Sequence, residues 1–119
     1  MATAIPRDWC DTVATILELG RAGTRFVTST ARMDWMTLFP EKFSFDLYKV
    51  LAEILRLGSY TDARKIDTMS EPGDVYEFLF MYEGRRMYSK INLCKGKVMV
   101  LVYSAHLQRK GNIKKGTLV

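Results

Sequence analysis

Trp9, Val13, Ile16 and Leu17 fall on one stripe at helical spacing, with Asp8 in front as a candidate N-cap and Gly20 and Gly23 behind as stops. A shorter helix is predicted in "FVTSTARMDWMTLFP", capped by Thr28 or Ser29, carrying Ala31, Trp35 and Leu38 and closed before Pro40. "SFDLYKVLAEILRLG" has the clearest helical pattern. Ser44 is its candidate cap, Asp46 complements the positive end of the dipole, and Leu47, Leu51, Ile54 and Leu55 form the buried stripe that Gly58 ends. The period then changes to two. "YTDARKIDTM" predicts a mixed-polarity edge strand and "SEPGD" a loop. Residues 74–82, 85–93 and 97–105 predict three further strands, joined by tight turns at Glu83-Gly84 and Lys95-Gly96. The expected fold is α+β, with N-terminal helices on one face of a four-stranded antiparallel sheet.

Two-residue turns fix the pairing. Tyr82 would pair with Arg85, which sets Tyr76 opposite Ile91, Phe78 opposite Ser89 and Phe80 opposite Met87. Cys94 would pair with Lys97, which sets Ile91 opposite Val100, Leu93 opposite Val98, Met87 opposite Ser104 and Tyr88 opposite Tyr103. One face is then Tyr76, Phe78, Phe80, Met87, Ile91, Leu93, Val98, Val100 and Val102, the side on which the helices pack. Arg86, Tyr88, Lys90 and Asn92 point the other way, with Met99, Leu101 and Tyr103, and Glu77 opposes Lys90. A slip of one residue would bury the cations and expose three aromatics, so the assignment of faces is all-or-none.

A chain of 119 residues, nearly half of them apolar, suits one domain over 1–107 with a basic tail over 108–119. No apolar run approaches the ~18 residues that span a bilayer. The N-terminus has no secretory pattern. Cys10 and Cys94 are far apart and lack metal-ligand spacing, which reads as free thiols in a reducing cytoplasm. Charge is segregated: residues 1–83 hold all 13 acids and 9 of the 18 bases, net −4, whereas 84–119 hold 9 bases and no acid, net +9. Such a surface favours a polyanion, although a basic tail can also serve solubility alone.

Cations interleaved with tyrosines suit single-stranded nucleic acid, because ammonium and guanidinium groups neutralise phosphates and rings stack on bases. The same residues can be an ordinary half-wet sheet face, with Tyr88 and Tyr103 as a cross-strand pair and Glu77–Lys90 as a surface ion pair. His106, the only histidine, closes the last strand and could transfer protons near neutral pH, or could be structural. No Ser-His-Asp arrangement, zinc spacing, phosphate-binding glycine loop or carboxylate pair stands out. Catalysis by this chain would therefore need no metal or cofactor and would use Lys, Arg, Tyr and His. RNA cleavage fits, since the ribose 2′-OH is an internal nucleophile.

"TSTARMDWMTL", the following amphipathic helix, and "SYTDARKID…GDVYEF…GRRMYSKINL…VMVLVYSAH" together resemble the MqsR-type toxins of bacterial toxin–antitoxin systems, within the RelE-like group of small ribonucleases. The resemblance covers roughly residues 24–106. It implies a metal-independent mRNA endonuclease neutralised by an antitoxin protein, with Tyr88 at the family's active-site tyrosine and His106 at its terminal basic residue. The family's early-strand lysine falls on Thr61, beside Arg64 and Lys65, and its glutamine before "DVY" falls on Gly73. These readings make Tyr88, His106 and Lys90 the catalytic candidates. Arg64, Lys65, Arg86, Tyr103, Arg109 and Lys110 become the RNA-binding candidates. The alternative is a non-catalytic module that binds nucleic acid or protein through the same face. A third class, an enzyme acting on a small metabolite, has no motif behind it.

Overall fold

The computed structural model describes residues 5–26, 29–67, 72–94 and 100–107. Helix α1 (Arg7–Glu18) begins after Pro6, with Asp8 inside the first turn. The helix therefore starts two residues before the expected Asp8 cap: Pro6 makes the N-cap, and the Asp8 carboxylate lies where it favours the helix dipole. A short strand β1 (Thr24–Phe26) precedes α2 (Ser29–Leu38), and α3 (Ser44–Leu57) follows. The N-cap of α3 is Phe43 rather than Ser44. The carboxylate of Asp46 accepts the Phe43 N–H at 2.7 Å, so one acid both caps the backbone and faces the dipole.

Gly58 ends α3 in the left-handed conformation, φ 68°, and Ser59 N–H reaches back to the Ile54 carbonyl at 3.0 Å. A Cβ at Gly58 would meet nothing within 4 Å. Backbone strain alone then sets the effect of Gly58→Ala, about 1 kcal/mol, read as a drop of about 4 °C in a thermal melt. A drop below about 1 °C would contradict the left-handed ending.

Four strands follow the expected order: β2 (Tyr60–Ile66), β3 (Gly73–Tyr82), β4 (Arg85–Cys94) and β5 (Val100–Leu107). Among the described residues the sheet has five strands, ordered β1-β5-β4-β3-β2, because β1 adds parallel to the free edge of β5. The expected four-stranded antiparallel sheet is corrected accordingly. β2 does lie at an edge.

The β3–β4 hairpin has the expected register throughout, from Tyr82 with Arg85 to Gly73 with Cys94. Its turn is left-handed at both centres, Glu83 at φ 52° and Gly84 at φ 75°, as a two-residue type I′ turn requires. The second pairing differs. Ile91 opposes Val102, Leu93 opposes Val100, and after a bulge between Lys90 and Ile91, Tyr88 opposes His106 and Met87 opposes Leu107. This is not the register that a turn at Lys95-Gly96 would set. Val98, Met99 and that turn lie outside the described residues.

The core lies between the helices and one sheet face. Val13, Leu17, Leu47, Leu51 and Leu55 pack with Phe78, Phe80, Met87, Ile91, Val100 and Val102, all of them buried. Trp35 is completely enclosed; its indole N–H donates to the Phe43 carbonyl at 3.0 Å, and its ring lies 4.6 Å from Phe39 and 5.8 Å from Tyr82. Among the described residues no helix is long and apolar enough to cross a membrane.

Candidate nucleic-acid interface

The sheet face turned away from the helices carries the charged positions, and two bulges determine which of them meet. In β2, Thr61 opposes Leu79 but Arg64 opposes Glu77, so β2 spends one residue more than β3 over this stretch. Asp62 takes a left-handed backbone, φ 54°, within it. Without the extra residue Ala63 would face Glu77 and Arg64 would turn to the helix side, because side chains alternate along a strand. The β4–β5 bulge makes the corresponding shift: Lys90 opposes Ser104 and Ile91 opposes Val102, leaving Tyr103 as the extra residue. Without it Tyr88 would oppose Ala105 rather than His106.

Two cross-sheet rows result. One runs Arg64, Glu77, Lys90, Ser104, and the next runs Thr61, Leu79, Tyr88, His106. Their centre is built from side chains. The Tyr88 hydroxyl donates to Glu77 Oε1 at 2.7 Å, and Arg64 Nε donates to Glu77 Oε2 at 2.7 Å, with Arg64 Nη2 on the same oxygen. The Glu77 side chain is only 6% exposed, whereas that of Arg64 is 48% exposed. Tyr88 is 4% exposed and forms a small apolar cluster with Leu79, separate from the main core. Burial pushes the Tyr88 phenol well above its ordinary range, and the hydrogen bond to Glu77 raises it further; Arg64 pulls slightly the other way.

The alternating segment therefore points as expected but is drier than expected. Tyr88 and Asn92 are buried, and Lys90 and Arg86 are half-buried. Arg86 opposes Met81, which is exposed, one pair beyond the Tyr88 row. Tyr103 is not opposite Tyr88, so the expected tyrosine pair is replaced by Tyr88 with His106. Lys65 is on the wrong side: it opposes Tyr76 and lines a cavity of about 350 Å³ with Asp8, Trp9, Thr12 and Asp74 on the helix side. Arg64 and Lys65 thus do not act together. Arg109 and Lys110 lie outside the described residues.

Gly73 and Thr61 are explained differently. Thr61 is exposed in the Tyr88 row, on the expected face, and its hydroxyl carries no charge; the cation Arg64 stands in the adjacent row. A Cβ at Gly73 would lie 2.0 Å from Asn92 Oδ1 and 2.6 Å from the Leu93 carbonyl oxygen, so β4 occupies the space a side chain would need. Glu77 was not among the expected site residues. Its signal was a lone acid within the otherwise apolar "VYEFLFMY". Among the described residues no group of three or more His, Cys, Asp or Glu side chains is placed to hold a metal ion.

No family model, curated protein or solved structure matches the chain.

Proposed function

We propose that this chain is a metal-independent endoribonuclease of the RelE-like kind, acting on mRNA in the cytoplasm and held in check by an antitoxin protein. The single observation that carries the reading is the convergence of Arg64, Glu77, Tyr88, Lys90 and the His106 position across four neighbouring strands on one sheet face. RNA cleavage through the 2′-OH needs proton transfer and cations at one place. The 2′-oxygen bonds to phosphorus as the 5′-oxygen leaves; a base takes the 2′-OH proton, an acid protonates the leaving oxygen, and cations stabilise the phosphorane charge. No water is consumed, and the products are a cyclic phosphate and a 5′-hydroxyl. In this reading His106 transfers protons, while Arg64 and Lys90 hold phosphate.

One observation favours the alternative of a binding module without catalysis. The Tyr88 phenol is buried and already committed to Glu77, which keeps it protonated and out of reach of a substrate base. A single experiment separates the two readings. The chain is induced tightly in cells beside Tyr88→Phe and His106→Ala variants, and the purified proteins are incubated with RNA in EDTA. The ribonuclease reading expects growth arrest and cleavage in wild type, with His106→Ala about 10²- to 10⁴-fold slower, the usual contribution of general acid–base catalysis. Salt-dependent RNA retention without cleavage selects the binding module. Absence of both retires the RNA reading.

A further inference from the structure

We propose that Glu77 is a positioning residue of this face, dividing its two carboxylate oxygens so that Tyr88 is fixed as a donor and Arg64 is held in line with it. The effect of Glu77 on RNA rests on the reading of the face as an RNA site, but its effect on Tyr88 rests on geometry alone. Oε1 takes the phenol proton at 2.7 Å and Oε2 takes the guanidinium at 2.7 Å. At 6% exposure the carboxylate has no room to swing toward solvent. A buried carboxylate that satisfied only one partner would leave an oxygen desolvated, so the two contacts depend on each other. The charged groups around it come from every neighbouring strand: Arg64 from β2, Lys90 opposite it in β4, and the His106 position opposite Tyr88 in β5.

The arrangement has an unusual consequence. Glu77 lowers the positive potential at Arg64, the half-exposed cation of the pair, and so opposes phosphate binding while it aligns the site. Replacing it with an uncharged isostere should therefore strengthen RNA binding and weaken turnover. Loss of mere structural support would weaken both.

The experiment uses the full chain as wild type, Glu77→Gln and Tyr88→Phe, with two probes. The first is the Cζ resonance of labelled tyrosine, assigned to Tyr88 by its loss in Tyr88→Phe. The second is a single-stranded RNA of mixed sequence, measured for retention and turnover over a range of salt. Glu77→Gln is expected to move the Tyr88 resonance upfield, toward a weaker donor. It should tighten RNA retention several-fold with a salt slope steeper by about one phosphate contact, and slow turnover about 10- to 100-fold through misalignment. An unmoved resonance overturns the proposal, as does parallel loss of retention and turnover. If wild type neither retains nor cuts RNA, the RNA reading falls, and the resonance alone decides Glu77: a shift upholds the positioning role and no shift rejects it. Should Glu77→Gln fail to fold, Arg64→Gln probes the same coupling from the other side. Freed of its cation, Glu77 draws the phenol proton harder and the resonance moves downfield; an unmoved one rejects the proposal.

Discussion

Trp35→Ala is expected to remove about 3–5 kcal/mol of folding stability, a large share of the roughly 5–15 kcal/mol that holds a domain of this kind together. Trp35 is completely buried and joins three parts of the chain: α2, on which it sits, the connection into α3 through the Phe43 carbonyl, and the end of β3 through Tyr82. Truncation leaves a cavity bounded by Phe39 and Tyr82 and removes one of the two donors on the Phe43 carbonyl, which keeps the Asp46 N–H at 3.0 Å. α2 cannot refill that space, because its neighbouring positions Met33 and Met36 are exposed on the other side. Trp35→Phe keeps most of the volume and loses only the N–H, so its expected cost is about 1–2 kcal/mol. Urea denaturation at unchanged m-value measures both. If Trp35→Ala costs less than about 1 kcal/mol, the indole is not the pin described here.

The two sheet pairings differ in how far local chemistry determines them. The β3–β4 register follows from Glu83-Gly84, because a two-residue left-handed turn permits one pairing and side-chain alternation then assigns every position. The β4–β5 register departs from the one expected because β5 carries an extra residue at Tyr103 opposite the Lys90–Ile91 step. No residue type announces such a bulge; it depends on how the strand lies over the core. β1 was missed for another reason. "TRF" is three residues long and pairs with a strand some 75 positions away, so no local period reveals it.

The site was legible in part and for the same reasons. Alternation identified the face bearing Arg86, Tyr88 and Lys90, but it assigns direction and not cover, so the burial of Tyr88 and Asn92 did not follow from it. Arg64 and Lys65 read alike in the sequence; alternation puts them on opposite faces, and only the bulge at Asp62 decides that Arg64 is the one that meets Glu77. Glu77 looked like a surface partner for Lys90. Its position between a buried phenol and a guanidinium emerges only when three strands are aligned, one of them, β2, across an irregular step.

Gly73→Gln, which introduces the glutamine expected there from the resemblance, is expected to destabilise the chain rather than activate it. The first atom of any side chain causes the difficulty. A Cβ would stand 2.0 Å from Asn92 Oδ1, 2.9 Å from Asn92 Cγ and 2.6 Å from the Leu93 carbonyl oxygen. Asn92 is fully buried and cannot swing into solvent, and the Leu93 carbonyl belongs to the neighbouring backbone, so β4 itself must move away from β3. Overpacking of this kind costs about 1–3 kcal/mol. Because the obstruction is at Cβ, Gly73→Ala should lose nearly as much as Gly73→Gln, an outcome that a missing glutamine function would not produce. Asn92→Ala should recover part of the loss, giving a coupling of about 0.5 kcal/mol or more in a double-mutant cycle. The Leu93 carbonyl remains in place, which limits that recovery. Equal stability of Gly73→Ala and wild type would place β4 farther from β3 than described. RNA cleavage rising in Gly73→Gln would show that the strands can part there, and that this position belongs to the working face after all.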